Sequence, residues 1–258
     1  MKDDYQEFVE LIKRKTGLDL FQYKEKQMKR RLTSLCQKRD CDNFVQYFHL
    51  IIKEKEYFNE FLDRITINVS EFYRNGKRWE VLEKKILPKL LRENRNVKIW
   101  SAACSTGEEP YTIAMLLHPY INLNQVNILA TDLDENALQA AKRGIYLEKS
   151  LKEVPSQIKQ KHFSSKDGNF FSVDESLKKC ITFKKHNLLK DPYEEKFDLI
   201  VCRNVLIYFT EEAKEIVYRQ FSQSLKPGGV LFVGSTEQIF NPKQYGLETV
   251  DTFFYQKQ

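Results

Sequence analysis

Glycine is scarce in this chain, nine residues in 258, and the four histidines and five cysteines are scattered. Cys36, Cys41, Cys104, Cys180 and Cys202 form no C-x-x-C pair, and their odd number argues against a disulfide framework. Histidines this sparse make a zinc site unexpected, and no metal is assigned. No apolar run approaches the length of a membrane span, and the opening MKDDYQEFVE lacks the pattern of a signal peptide. A cytoplasmic protein without membrane insertion is therefore expected. Repeats and low-complexity linkers are also missing.

What the chain does have is charge and apolar periodicity. Lysine and arginine number 42 against 36 acids, a formal net charge of +6. Residues 22–39, QYKEKQMKRRLTSLCQKR, concentrate Lys24, Lys26, Lys29, Arg30, Arg31, Lys38 and Arg39 against Glu25 alone. Such a segment is either a solvated helix face or a docking surface for an acidic protein or nucleic acid. Up to about residue 75 apolar residues recur at helical spacing: Phe8, Val9, Leu11, Ile12; Phe44, Tyr47, Phe48, Ile51; Phe58, Phe61, Leu62, Ile65. These stripes predict a small all-α domain over 1–75, with Asp42 or Asn43 capping its third helix, followed by a linker helix over 76–96.

From about residue 97 short apolar strands alternate with helical stretches. Val97–Trp100, Val126–Thr131, Ile181–Phe183, Phe197–Cys202 and Val230–Val233 read as strands, and 108–118, 134–143 and 211–225 as helices. That alternation predicts an α/β domain over 97–258, a doubly wound, mostly parallel sheet of Rossmann type. The closing LETVDTFFYQK predicts a hairpin at the sheet edge with an antiparallel last strand. Residues 145–180 fit the alternation poorly; Asp167-Gly168 followed by a strand-like run predicts a small β insertion near 162–180.

In such a sheet ligands sit at the carboxyl ends of the strands. The first of these ends, IWSAACSTGEEPYTIA (99–114), carries a single glycine, Gly107, and two adjacent acids, Glu108 and Glu109, at the start of a helix with Pro110 in its first turn. Two acids there would repel a pyrophosphate, which weighs against NAD, FAD or ATP and toward a ligand with a positive centre or free hydroxyls. Asp132, in LATDLDENAL, stands where an acid accepts hydrogen bonds from ribose hydroxyls, leaving Asp134 as the better placed helix cap. Asn187, after the third strand, can offer an amide to a base edge. His186 is as readily structural as ligating. Asn204, directly after FDLIVC, is placed to present a reacting group, whereas Cys104 and Cys202 lack a Cys–His partner. Together the ribose-binding acid, the glycine-poor loop and the antiparallel last strand describe an S-adenosylmethionine-dependent class I methyltransferase.

At these residues the chain resembles the chemotaxis receptor methyltransferase family, CheR. The resemblance rests on NVSEFYRN (68–75), WSAACSTGEEPYTIA (100–114), ATDLDENAL (130–138), HNLL (186–189), CRNVLIYF (202–209) and KPGGVLFVGSTE (226–237), in order along nearly the whole chain. It implies methylation of glutamate side chains on chemoreceptor cytoplasmic helices, a step of signal transduction in chemotactic adaptation. It further implies cofactor contacts at Asn68, Ser70, Arg74, Glu109, Asp132, Asn187, Leu188, Asn204 and Val205, with S-adenosylhomocysteine as product. Arg74 and Tyr208 take catalytic positions, and Lys26, Lys29, Arg30, Arg31 and Lys38 dock the receptor. Ser70 stands where the family often has threonine, which keeps the hydroxyl. The insertion corresponds to a β-subdomain that binds a tethering receptor peptide in some members; the short SSKDGNF loop predicts weak or absent tethering here. A monomer is expected. The rival readings are an RNA methyltransferase and a non-catalytic S-adenosylmethionine-binding adaptor. The first would want an Asn/Asp-Pro-Pro-aromatic segment where this chain has Arg203-Asn204-Val205-Leu206, so nucleic acid is not expected as a partner. The second would tolerate loss of Arg74 or Tyr208, and both are present.

Overall fold

The amphipathic stripes of the first part fold as α1 (Tyr5–Thr16), α2 (Glu25–Lys38), α3 (Phe44–Lys53) and α4 (Lys55–Thr66). In this computed structural model residues 4–93 and 95–258 are described; Met1–Asp3 and Asn94, within the expected N-terminal domain and linker helix, lie outside the described residues. The helices close on an aromatic core in which the fully buried Phe8 meets Phe44, Tyr47 and Phe61 at ring separations of 5.8, 6.2 and 6.2 Å. Asn43 caps α3 by accepting the Gln46 N–H at 2.8 Å. The Asp4 carboxylate takes the next two orphan donors, Phe44 N–H at 3.0 Å and Val45 N–H at 2.7 Å.

Residues 205–217 belong to this helical unit although they lie far along the chain. Tyr23 bridges to Phe209, the Lys24 N–H donates to the Tyr208 carbonyl at 2.8 Å, and the Thr210 N–H donates to the Gln22 carbonyl at 2.9 Å.

The second unit comprises Asn68–Asn204 and Tyr218–Gln258. Its start at Asn68 places the NVSEFYRN segment and the expected linker helix inside it, not in the helical domain or between the two. Burial is the reason. Phe72 is fully buried with its ring 4.8 Å from that of Tyr146 and 5.1 Å from that of Phe163. The stretch 76–93 forms α5 (Gly76–Val81), a π-helical turn (Leu82–Ile86) and α6 (Leu87–Glu93), and buries Trp79, Leu82, Ile86 and Leu87. Pro88 has no N–H to return to the Lys84 carbonyl, and the wider turn just before it accommodates that break.

Outside 145–180 the remainder alternates as the sequence predicts; in order the elements are β1 (Lys98–Ala102), α7 (Glu108–Leu117), β2 (Asn127–Asp132), α8 (Glu135–Arg143), β3 (Ile145–Leu147), α9 (Ser156–His162), β4 (Phe163–Ser165), β5 (Phe170–Val173), α10 (Glu175–Lys179), β6 (Ile181–Lys185), β7 (Phe197–Cys202), α11 (Glu211–Ser224), β8 (Leu225–Val233), β9 (Leu247–Asp251) and β10 (Phe254–Lys257). The main sheet runs β6-β2-β1-β7-β8-β10-β9, with β10 antiparallel to both neighbours and β9 at the edge. The chain winds outward from β1 in one direction and returns to β7 on its other side, so the switch point lies at the carboxyl ends of β1 and β7. Strand β7 is buried at every position, as a central parallel strand must be. The insertion is a separate antiparallel sheet, β3-β5-β4, that begins at Ile145, earlier than the sequence pattern marks it.

Gly107 connects the first loop to the helices. Its φ of +95° is left-handed, and a Cβ there would fall 2.8 Å from the Cβ of Ala141 on α8. This glycine serves close packing of the loop against α8. Replacing it with alanine should cost about 1–3 kcal/mol through backbone strain and overlap. The cost is read as a lowered urea midpoint and is partly relieved by adding Ala141→Gly; an unchanged midpoint in the single variant would contradict the assignment.

Candidate cofactor site

Four backbone segments of the second unit converge at the switch point: Asn68–Arg74, the loop after β1, and the ends of β2 and β7. The β1 loop turns through left-handed residues Ala103 (φ 61°) and Ser105 (φ 49°) before Gly107. Asp132 holds it down. Its Oδ2 accepts the Ser105 N–H at 2.7 Å and its Oδ1 accepts the Asp134 N–H at 2.9 Å. Asp134 caps α8, accepting from Asn136 and Ala137. Asn68 then ties the two loops together, donating to Asp134 Oδ2 at 2.7 Å and accepting from the Ser105 hydroxyl at 3.1 Å.

The two acids of the first loop part company here. Glu108 is buried and turned back into its own loop, accepting from the Thr106 hydroxyl at 2.7 Å and from the Ser70 hydroxyl. Glu109 stands over the end of β1, where Oε1 accepts from the Ser101 hydroxyl at 2.8 Å and Oε2 lies 3.9 Å from the Arg203 guanidinium. Burial pushes Glu109 up to about 7 against the opposing pull of Arg203, and pushes Asp132 up to about 6 despite its backbone hydrogen bonds.

Other expected residues are placed with equal clarity. The Arg74 side chain donates to the Val69 carbonyl at 3.2 Å, and its own carbonyl accepts from Arg203 at 2.8 Å. Asn187 makes a turn, its side-chain oxygen accepting the Leu189 N–H at 2.9 Å, and Leu188 is buried with its carbonyl bound by the Tyr193 hydroxyl. His186 packs edge-on against Trp100 and Tyr193, with burial lowering its pKa, which is a structural role. Asn204 takes a left-handed φ of 62°, its N–H donating to Glu237 Oε2 at 2.6 Å; that oxygen also accepts the Gly234 N–H at 2.8 Å. The Cys104 and Cys202 thiols are buried and pushed far from ionisation, so neither is a nucleophile.

Val205 and Tyr208 fall in the helical unit, Tyr208 at the end of the 3₁₀ turn Leu206–Tyr208. There Arg31 lies over the Tyr208 ring at 4.6 Å, and both line a cavity of about 500 Å³ with Arg30, Ser34, Asp63, Arg64 and Ile67. Lys26 and Arg30 are exposed, and Lys29 lies 5.6 Å from the Tyr5 ring centroid. Lys38 and Arg39 are both paired with Glu60, which removes them from the free charge of α2.

Arg203 and Glu237 carry much of this geometry, yet sequence reasoning assigned them no role. The available signal was a charged residue shortly after a mostly apolar strand: Arg203 directly follows FDLIVC, and Glu237 follows VLFV after Gly234-Ser235-Thr236. Among the described residues no cluster of three or more potential ligands could hold a metal, and no helix is long and apolar enough to cross a membrane.

A single-glycine loop with acids at the helix start suits a sulfonium cofactor and not a pyrophosphate. With the sheet order, this defines an S-adenosylmethionine-dependent methyltransferase. Family models agree: "CheR methyltransferase, SAM binding domain" matches residues 68–254 and "CheR methyltransferase, all-alpha domain" matches residues 3–66. The chain belongs to the CheR methyltransferase family. It is 46% identical over 258 residues to a chemotaxis protein methyltransferase of Listeria monocytogenes, covering 100% of this chain and 98% of that one. To the corresponding protein of Borreliella burgdorferi it is 38% identical over 269 residues (99% and 94% covered), and to chemotaxis protein methyltransferase 1 of Pseudomonas aeruginosa 32% over 255 residues (94% and 93%).

The raised carboxyls have a measurable consequence. Between the ordinary carboxylate range and their folded values, Glu109 and Asp132 keep protons that the unfolded chain has released. These two groups therefore make the free protein less stable as pH rises through that window. Glu109→Gln should gain stability relative to the parent progressively from about pH 4.5 to 7, read as the difference in urea midpoint. A pH-independent difference would show that the carboxyl is not held in its neutral form.

Proposed function

We propose that the chain methylates glutamate side chains on chemoreceptor cytoplasmic helices, and that Asn68, Ser70, Arg74, Glu109, Asp132, Asn187, Leu188, Asn204 and Val205 hold its cofactor. The observation that carries the substrate class is the cationic cavity of the helical unit. Arg30, Arg31 and Arg64 line it beside the Tyr208 ring, a setting that attracts a carboxylate. The relatives named chemotaxis protein methyltransferases, matched over 98% and 94% of their own length, support the same reading.

Bound S-adenosylmethionine supplies a methyl group already activated on a sulfonium. The residues then have little covalent chemistry to perform. A free glutamate carboxylate is ionised near pH 7, so no general base is needed, and the reaction is an in-line displacement. The bound cofactor would supply the methyl group to one oxygen of the substrate carboxylate, the carbon–sulfur electron pair staying with the S-adenosylhomocysteine thioether, and the product would be a methyl ester. What the chain contributes is alignment and partial removal of water. Asp132 keeps lone pairs for ribose hydroxyls, Glu109 offers an anion to the ammonium of the methionine end, and Arg74 offers a cation to its carboxylate. Tyr208 orients the substrate carboxylate, and α2 steers the acidic receptor helix into register.

Incubation with labelled cofactor and either receptor cytoplasmic fragments or total RNA should leave alkali-labile label on the receptor alone; label on RNA would overturn the proposal. Reversing charge at the exposed Lys26 and Arg30 should raise the receptor KM by roughly tenfold or more, increasingly so at low salt, with cofactor affinity unchanged. Unaltered receptor methylation by that variant would exclude α2 as the docking surface.

A further inference from the structure

We propose that Arg203 is a positioning residue for cofactor binding: its buried guanidinium holds the Arg74 backbone and the Glu109 carboxylate as one preformed acceptor for the ammonium-bearing end of the cofactor. The inference rests on the cofactor-site reading above. Arg203 is buried, and its guanidinium lies 5.0 Å from the Trp79 ring centroid and 4.9 Å from that of Phe232. Two aromatic faces fix the plane of a guanidinium as they could not fix an ammonium. Nη2 donates to the Arg74 carbonyl at 2.8 Å, which anchors the far end of the NVSEFYR segment. Nη1 stands 3.9 Å from Glu109 Oε2, too far for a hydrogen bond yet close for a buried charge pair.

That distance separates a positioning role from simple neutralisation. A guanidinium in bidentate contact would occupy the carboxylate, whereas this one favours the ionised form and leaves Oε2 open to a ligand. Nε is buried without a partner, so the cation is not there to complete a saturated ion network. The groups bearing on Glu109 are Arg203, Arg74, Glu237 and the Ser101 hydroxyl; the buried Cys104 and Cys202 thiols also feel its charge and are themselves neutral. Glu237 opposes ionisation and Arg203 is the nearest counter-charge. Without it a buried carboxyl reverts to its neutral acid, which has no charge for an ammonium.

The test is calorimetric titration of the full chain with S-adenosylhomocysteine from about pH 6 to 9, a range that brackets the expected titration. Arg203→Met should bind about tenfold or more weakly at neutral pH and recover part of that loss as pH rises. Arg203→Lys keeps the charge but not the planar fork, so it should bind more weakly at every pH with the parent pH profile. Glu109→Gln should bind weakly with a flattened profile. Parent affinity and profile in Arg203→Met, or in Arg203→Lys if the methionine variant does not fold, overturn the inference while a weakened Glu109→Gln leaves the site reading standing. Parent affinity in Glu109→Gln overturns both.

Discussion

A single buried carboxylate, that of Asp132, holds the ligand-binding edge of the sheet together. Both of its oxygens accept backbone N–H groups, one from the loop after β1 and one from the start of the loop into α8. A desolvated carboxylate is costly unless hydrogen-bonded, and charge-assisted bonds to fixed backbone donors are the means by which this one is retained. Release of that carboxylate would free the Ser105 N–H and leave the loop tied to β2 through the Cys104 N–H bond to the Thr131 carbonyl, at 2.8 Å. Asn68 reinforces the same joint by bridging Ser105 and Asp134, which ties the NVSEFYRN segment, expected in the helical domain, to the loops after β1 and β2. The residues proposed to meet the ribose are therefore also those that keep the loops in place, and stability and binding are coupled there.

The second constraint is the sign of the charge. Phosphate-binding loops clear the helix N-terminus of side chains so that backbone donors can meet an anion. This loop does the reverse. Glu108 fills the space with a carboxylate satisfied by Thr106 and Ser70, and Glu109 is set beside a buried arginine with one oxygen uncommitted. A site arranged in this way selects against nucleotides bearing phosphates and for a cofactor whose reactive end is cationic. The separate arginine cluster around Tyr208 in the helical unit supplies the opposite sign, in keeping with the anionic substrate proposed for it. Each unit thus carries the charge complementary to its proposed ligand.

Much of this was legible in the sequence because period and punctuation agree. The six-residue run FDLIVC is a buried central strand, Asp134 is the cap of α8, and the Glu108–Glu109 pair excludes a phosphate loop. The expected boundary at residue 75 differs from the structure because the apolar stripes end at Ile65, and Phe72 and Tyr73 beyond them pack into the α/β core. Helical periodicity does not say which core a residue joins. The basic run 22–39 overstated the free charge of α2, since Glu60, distant in sequence, neutralises Lys38 and Arg39. Arg203 and Glu237 escaped notice for a related reason: their importance lies in long-range contacts, of Arg203 with Arg74 and Glu109 and of Glu237 with Asn204, and no local pattern encodes those. The return of residues 205–217 to the helical unit is likewise a tertiary event, made by backbone bonds to Gln22 and Lys24 that no side-chain pattern announces.

The central claim is that the acids of this site receive a sulfonium cofactor and not a phosphate-bearing nucleotide. A crystal structure of the full chain with S-adenosylhomocysteine tests it most directly. The expected result is ribose hydroxyls on the Asp132 carboxylate and the amino group within hydrogen-bond reach of Glu109 Oε2, with the Ser105 and Asp134 backbone bonds intact. Density that leaves Asp132 and Glu109 without ligand contacts, or that seats the cofactor away from the carboxyl ends of β1 and β2, would contradict it.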